Sequence, residues 1–155
     1  MKKWGILAFA LLLSACASPR YQGKPIQAEL AESKPDVVVV RNPQTKPEFL
    51  ETMEQWLKGR EFNYVVVAGN TPRAADKLTL EYVGYWAWDL GSYMNSAQIS
   101  AYHGETKVGD VVYSVPNTVS STKMGDARQR IRYMLEVLFG EITPEFATTR
   151  IERGD

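Results

Sequence analysis

The chain has 155 residues, with 18 acidic residues, 18 basic residues, one histidine and one cysteine. This balanced charge excludes the strongly basic composition that is typical of nucleic-acid-binding proteins. A single cysteine excludes an internal disulfide and the thiolate clusters that hold structural zinc, and the length predicts one domain.

The first sixteen residues carry the pattern of a bacterial export signal. Two lysines are followed by an apolar run at residues 6–13 and by Leu-Ser-Ala-Cys at residues 13–16. The apolar run is shorter than the roughly 20 residues that span a bilayer, and the order of charge, apolar run and small residues is that of a signal peptide. Leu-Ser-Ala-Cys matches the bacterial lipobox. We therefore expect residues 1–15 to be a signal peptide and Cys16 to carry a diacylglyceryl group and an N-acyl lipid.

The lipobox bears on which chemistry is open to the protein and on the membrane to which the protein is sorted. Lipidation of Cys16 consumes the only thiol, which excludes cysteine catalysis, and no cofactor other than the lipid is expected. Loss of two leader lysines leaves 16 basic and 18 acidic residues, a net charge of about −2 at neutral pH. Ala17 and Ser18 stand where an aspartate retains enterobacterial lipoproteins at the inner membrane, so we expect the outer membrane, facing the periplasm. The alternative to the lipoprotein signal is that residues 1–16 are an ordinary secretory signal with an accidental cysteine, or an N-terminal anchor helix.

Residues 16–35 are rich in Pro, Gly, Ser, Lys and Glu and show little periodicity. This composition predicts a flexible tether with an average span of about 25 Å. The alternative, a strand or helix docked on the domain, is open only for residues 26–30.

A strand-helix-strand unit is predicted next. Residues 36–40 (DVVVV) and residues 64–68 (YVVVA) are apolar, β-branched runs typical of strands buried on both faces. Between them, Thr45 and Glu48 have capping-box spacing, and Gly59 stands where a helix-ending glycine belongs. The apolar face of this helix comprises Phe49, Leu50, Met53, Trp56 and Leu57. We expect two parallel strands joined by a right-handed crossover.

Three further strands and a helix complete the predicted domain. Residues 78–89, 93–103 and 110–115 form an antiparallel meander, of which the first strand alternates with period two. A final helix starts at Ser121 or Thr122 and ends at Phe139, before Gly140. The predicted fold is α/β (α+β), with a mixed sheet of about five strands in the order β-α-β-β-β-β-α and two helices packed on it. The domain spans residues 36–143, and residues 144–155 are expected to be a loose tail.

Catalytic and metal-binding constellations are not expected. A Ser-His-Asp site would need His103, the only histidine, with Ser100 or Ser114 as nucleophile and Asp110 as its partner. The chain lacks the Gly-x-Ser-x-Gly elbow, and His103 lies at a predicted hairpin end. The group of His103, Glu105 and Asp110 has metal-ligating atoms but no recognised ligand spacing.

Two other charged groups are also set aside. Glu81 and Asp89 share a strand face but lie eight residues apart, about 26 Å, which is too far for an acid–base pair. Arg128, Arg130 and Arg132 suggest phosphate or headgroup binding. Since Arg128 and Arg132 fall on the polar side of an amphipathic helix, we expect a solvated face.

The aromatic residues of the meander are the best candidates for contact with another molecule. Tyr82, Trp86 and Trp88 share one strand face and are expected in the core, whereas Tyr85 lies on the opposite face. Tyr and Trp combine a flat apolar surface with one polar atom, which suits partner or glycan contact. The candidate binding surface is therefore Tyr85, Asp89 and Tyr93.

The segment from Leu80 to Gly140 resembles a family of small Gram-negative lipoproteins, the Sbal_3080-type family. The resemblance is carried by residues 85–89 (YWAWD), 93–94 (YM), 97–99 (AQI) and 134–140 (MLEVLFG). The arrangement of elements is also similar to the domain shared by the TolB N-terminal region and the penicillin-binding-protein activator lipoproteins. Both resemblances imply an envelope lipoprotein that is not an enzyme and has no catalytic residues.

The sequence thus predicts a membrane-anchored, periplasmic lipoprotein that acts as a non-enzymatic binding or adaptor module. Its expected partners are the membrane, through the lipid, and an envelope protein, but not a nucleic acid. The alternative is a protein that binds a small ligand or a peptidoglycan fragment through its aromatic residues.

Overall fold

A computed structural model describes residues 20–116 and 124–154. Within these ranges the chain forms six strands and four helices. The strands are β1 (Tyr21–Lys24), β2 (Val37–Val40), β3 (Tyr64–Val67), β4 (Leu78–Trp88), β5 (Ser92–His103) and β6 (Thr106–Ser114). The helices are α1 (Ala28–Glu32), α2 (Pro47–Gly59), α3 (Ala127–Leu138) and α4 (Pro144–Arg153). The predicted signal peptide, Cys16 and the predicted helix start at Ser121 or Thr122 lie outside the described residues.

The six strands form one mixed sheet in the order β1-β6-β5-β4-β2-β3. β2 pairs in parallel with both β3 and β4, whereas β4, β5, β6 and β1 are antiparallel neighbours. The predicted mixed sheet, the parallel pair and the meander are confirmed. The predicted number of about five strands falls one short because β1 lies in the segment for which the composition predicts a tether.

The prediction of a flexible tether is wrong for residues 20–35. β1 pairs with β6 along its whole length, and Tyr21 and Ile26 are only 1% and 3% exposed. Only the first of the four β1 residues is buried, because β1 is an edge strand with one side chain over the core. Isolated apolar residues of this kind leave no periodic pattern in the sequence.

The prediction of a loose tail is also wrong, since residues 144–153 form α4. Thr143 caps this helix, because its side-chain oxygen accepts the N–H of Phe146 at 3.2 Å, and Pro144 occupies the first turn. Ala147 and Ile151 are buried. Threonine followed by proline is a helix-start signal, so this end of the sequence does carry the pattern of a helix.

Two predicted helix starts are displaced. α2 begins at Pro47 without a side-chain cap, and Thr45 instead accepts the backbone N–H of Gly84 at 3.2 Å through its hydroxyl. α3 begins at Ala127, after the predicted start, with Asp126 accepting the N–H of Arg128 at 2.9 Å. The positive φ of Gly140, 75°, confirms it as the residue that ends α3.

The helices α2 and α3 contact one another and lie over one face of the sheet. The predicted apolar face of α2 is buried there, with Phe49 stacked on Tyr82 at a centroid separation of 4.9 Å. We call the other face, which includes Val83, Tyr85 and Gln98, the open face. Residues 68–77 connect two parallel strands that β2 separates. Arg73 of this connection contacts Glu81 on the open face at 2.7 Å.

Candidate functional site

Tyr85 and Tyr93 of the candidate surface lie on the open face. Tyr85 pairs with Ser96, and Ala87 pairs with Tyr93, across a register shift between Tyr85 and Trp86. This irregularity leaves Asn95 of β5 without a partner in the β4 register, so that Tyr93 faces the same side as Tyr85. Tyr85 is 60% exposed, as predicted, and Tyr93 is half-buried.

Asp89, the third residue of the candidate surface, lies in the turn of the β4–β5 hairpin. It follows β4 and forms the turn to β5, where its backbone N–H donates to the carbonyl of Gly91 at 3.0 Å. The residue is exposed. The structure therefore places the two tyrosines on the open face and Asp89 at the end of the β4–β5 hairpin.

The prediction that three aromatic residues of β4 belong to the core holds only in part. Tyr82 is 6% exposed, and Trp86 packs half-buried against the core. Trp88, however, is 75% exposed, so its prediction is wrong. Period two places Trp88 on the helix side, but β4 continues beyond the helices, and alternation along a strand gives no information about where the covering layer ends.

The start of α2 holds the base of the hairpin. Lys46 donates from Nζ to the hydroxyl of Ser92 at 2.8 Å, and the same ammonium lies 5.1 Å from the ring centroid of Trp86. The Trp86 ring folds back over Gly84, where an added Cβ would lie 2.7 Å from ring atom Cζ3. These contacts of Lys46 and Trp86 hold the base of the β4–β5 hairpin against the rest of the domain.

Beyond this base the hairpin ends in exposed apolar side chains. We call residues 88–91 the hairpin tip. Leu90 is 92% exposed and has a φ of +59°. Met124, which precedes α3, is 41% exposed, and its sulfur lies within 3.9 Å of where a Cβ on Gly91 would be. Trp88, Leu90 and Met124 thus form an apolar end that sequence reasoning missed.

A cleft of about 600 Å³ opens on the open face, where β2 ends. The residues that line it are mainly polar: among them are Arg41, Asn42, Gln44, Glu81, Gln98, Ser100 and Tyr102. Asn42 is held in place because its side-chain nitrogen donates to the carbonyl of Tyr82 at 3.0 Å and its side-chain oxygen accepts the N–H of Gln44 at 2.9 Å. The carboxyl ends of parallel strands are a common position for ligand sites in α/β sheets.

Arg73 limits what Glu81 can do in this cleft. Its guanidinium donates two hydrogen bonds to Glu81 Oε1, at 2.7 and 3.0 Å, and one to Glu105 at 3.1 Å. The same group lies 3.7 Å from the ring centroid of Tyr102. The hydrogen bond to Glu81 is the main reason why the pKa of Arg73 is raised. Glu81 is therefore engaged in an ion pair, which suits an orienting role better than proton transfer.

The residues considered for catalysis do not come together. Ser100 pairs with Asp110, but His103 pairs with Thr106 at the far end of β5, where it is exposed. The Ser100 hydroxyl accepts from Gln98 at 3.3 Å. Among the described residues, no group of three or more His, Asp or Glu side chains is arranged to hold a metal ion.

The three arginines of α3 divide between surface and interior. Arg128 pairs with Glu51 at 3.5 Å and Arg132 with Asp126 at 4.0 Å, both partly exposed, as expected of a solvated face. Arg130 is 1% exposed and donates from Nη1 to the carbonyl of Gly125 at 2.7 Å. Its burial was not predicted.

Buried tyrosines surround the backbone of this part of α3. The Tyr21 hydroxyl donates to the Arg130 carbonyl at 3.4 Å, and the Tyr21 ring lies 5.1 Å from that of Tyr113. Burial raises the pKa of both Tyr21 and Tyr113. Both phenols are therefore neutral at physiological pH, and this region is a structural core.

No protein-family model and no curated protein matches the chain. Among solved structures, the chain is similar to the crystal structure of a minor lipoprotein from Acinetobacter baumannii, with 9% identity and a TM-score of 0.27. The match covers 76% of this chain and 91% of that one. The resemblances suggested by the sequence motifs remain predictions.

Within residues 20–116 and 124–154, the structure contains no helix with the length and apolar character that crossing a membrane requires.

Proposed function

We propose that the chain is a bacterial lipoprotein, anchored through lipid on Cys16 at the outer membrane, whose domain is a non-enzymatic binding module for an envelope protein. The observation that carries the proposal is the open face, on which Tyr85 is 60% exposed on β4, where it pairs with Ser96 of β5 in the antiparallel meander. A large aromatic side chain on a paired strand offers contact area at low cost in conformational entropy.

The anchor is supported by the sequence. The motif Leu-Ser-Ala-Cys ends an apolar run of the length found in signal peptides. Mass spectrometry of the N-terminal peptide tests this part. We expect a diacylglyceryl and an acyl group on Cys16 and full retention of the precursor in a Cys16→Ser variant. An unmodified cysteine would contradict the anchor.

The partner is tested by site-specific photo-crosslinking in intact cells. A photoreactive phenylalanine analogue at position 85 is expected to give a discrete crosslinked product, and a Tyr93→Ala substitution is expected to weaken it. The matched control is the same analogue at Phe146, which is 49% exposed on α4, in the helix layer. Equal products from both positions, or none from position 85, would exclude the open face as the contact surface.

The cleft favours a second candidate function. Amide and hydroxyl groups of Asn42, Gln98 and Ser100 line it, and such groups recognise the amides and hydroxyls of a peptidoglycan fragment. Titration of the protein with soluble muropeptides, followed by NMR shifts of the side-chain amides, tests this candidate. Shifts confined to Asn42, Gln44 and Gln98 support it, and unchanged amide signals at millimolar muropeptide exclude it.

A further inference from the structure

We propose that the hairpin tip lies in the headgroup region of the same membrane that holds the lipid on Cys16. This inference rests on the lipid anchor of the proposed function. The hairpin tip would therefore contact a bilayer surface. The proposal assigns a role to Trp88 and Leu90, which are not part of the candidate surface of Tyr85, Asp89 and Tyr93.

The register of the sheet places the start of the described chain at the tip end. Tyr21 pairs with Tyr113, and the N–H of Ser114 donates to the carbonyl of Arg20 at 3.0 Å. Ser114 in turn pairs with Ser96, and Ser96 with Tyr85. Arg20 therefore lies at the level of Tyr85, and β1 starts at the end of the sheet at which the hairpin projects.

The distance that the chain can span from Arg20 to Cys16 is similar to the distance by which the hairpin projects from the sheet. Cys16 precedes Arg20 by four positions, so the lipid-bearing residue lies at most about 14 Å from Arg20. Trp88 extends three residues past the level of Tyr85, which carries the hairpin roughly 10 Å in the same direction. Three strand spacings separate β1 from β4, a lateral distance of about 14 Å. A membrane held at Cys16 is therefore within reach of the hairpin tip.

The chemistry of the hairpin tip suits a membrane interface. Trp88 and Leu90 are 75% and 92% exposed, and Met124 beside them is 41% exposed. Tryptophan is enriched at the level of lipid headgroups, where its ring is accommodated by the apolar side and its N–H by the polar side. The turn carries backbone groups that need hydrogen-bond partners, so the headgroup region is the depth it can occupy.

The backbone of Leu90 gives an independent reason. Its φ of +59° is in the left-handed region, which glycine or asparagine occupies more easily, and a glycine stands next to it. A leucine that is both strained and almost fully exposed has no role in the core. Strain retained at an exposed position points to a functional side chain.

Depth-dependent quenching of tryptophan fluorescence tests the proposal. The lipidated chain is reconstituted in vesicles of phosphatidylethanolamine and phosphatidylglycerol that contain phosphatidylcholine brominated near the headgroup or deep in the acyl chain. The mature sequence contains Trp56, Trp86 and Trp88. We expect the shallow bromines to quench more than the deep ones, and a Trp88→Phe substitution to reduce the quenched fraction at least twofold.

A Trp86→Phe variant is the matched control, because Trp86 lies at the fixed base of the hairpin, and it is expected to keep the quenching. Equal quenching of the wild type and Trp88→Phe, or no quenching by the shallow bromines, overturns the proposal. A hairpin tip that binds a partner protein instead of the membrane would give this result, because the vesicles contain no partner. Flotation of the same vesicles keeps the two proposals apart. A chain that fails to float with lipid overturns the anchor, whereas a chain that floats with Trp88 unquenched overturns only the placement of the hairpin tip.

Discussion

The side-chain oxygen of Thr148 accepts a hydrogen bond from the backbone N–H of Tyr21 at 3.2 Å, across 127 positions of the chain. It also accepts the N–H of Arg20 at 3.2 Å. One threonine of α4 thus holds the start of β1, and Thr148 is itself only 9% exposed. The two segments that the sequence suggested were loose are therefore in direct contact.

Replacing Thr148 by valine is expected to lower the free energy of unfolding by about 1–3 kcal/mol, because two buried N–H groups lose their acceptor. The matched control is Thr149→Val, since Thr149 is exposed and its hydroxyl donates to the Glu145 carbonyl within α4 at 2.9 Å. Its effect should stay within about 0.5 kcal/mol. Urea denaturation measures both, and equal midpoints for the two variants would contradict the assignment.

Replacing Gly84 by alanine is expected to destabilise the domain by about 1–3 kcal/mol through overpacking. The added Cβ would lie 2.7 Å from the Trp86 ring and 3.0 Å from Phe49. Near-ultraviolet circular dichroism should report the displaced indole. Gly59→Ala is the control, as nothing lies within 4 Å of its position, and it should stabilise α2 slightly. Unaltered stability of Gly84→Ala would show that the ring moves without cost.

Glu136 and Glu141, which both contact Arg60, are expected to respond in opposite directions to replacement by glutamine. Burial raises the pKa of Glu136 above its usual value of 4.5, in spite of Arg60 at 3.5 Å. Glu141 pairs with Arg60 at 2.7 Å, and its hydrogen bond is the main reason why the pKa of Arg60 is raised. We expect Glu141→Gln to cost about 0.2–1 kcal/mol at pH 7.

The pH dependence follows from the raised pKa of Glu136. In the native state this carboxyl holds its proton at a pH where the unfolded chain has lost it, so it reduces stability as pH rises from about 4.5 through the raised pKa. Glu136→Gln removes this slope. Its stability relative to the wild type should therefore be greater at pH 7 than at pH 4, as measured by urea denaturation at both values. A constant difference would refute the assignment.

Replacing Leu90 by asparagine is expected to raise the free energy of unfolding by about 1 kcal/mol, because asparagine tolerates the left-handed backbone better than leucine. Leu90→Ala keeps the strain and removes the apolar side chain, so it should leave the thermal midpoint near that of the wild type. A midpoint that rises equally in both variants would mean that the exposed leucine side chain, and not its backbone, is the source of the strain.

The elements with a strong pattern were predictable from sequence. β2, β3 and the apolar face of α2 follow from continuous Val runs and helical spacing, and the parallel pairing follows from their order. The prediction that β3 is buried on both faces is wrong, because β3 is an edge strand on which Val65 is 52% exposed. β1 could not be predicted, because Tyr21 is its only buried residue and its stability comes from β6 and α4, far away in sequence. α4 has a helix-start signal in Thr143 and Pro144, but the polar composition of the residues that follow favoured the prediction of a loose tail.

The candidate site was predictable only where the alternation of side chains along β4 decides which face of the sheet a residue occupies. Period two correctly gave the opposite faces of Tyr82 and Tyr85. It failed for Trp88, whose exposure depends on where the helix layer stops, and it carried no sign of the left-handed backbone at Leu90. The cleft was also missed, because its walls come from three strands and two loops that only the tertiary fold brings together.

The contact between β1 and α4 also sets an order of events in folding. A chain delivered with its N-terminus first presents β1 before β6 and α4 exist, and β1 has no other neighbour in the sheet. Since long loops must close before such contacts form, the first strand of the domain to emerge is among the last to be placed. Until β1 pairs with β6, the free edge of β6 is open to pairing with another chain, so the earliest strand of the domain protects a strand from the later half of the sequence.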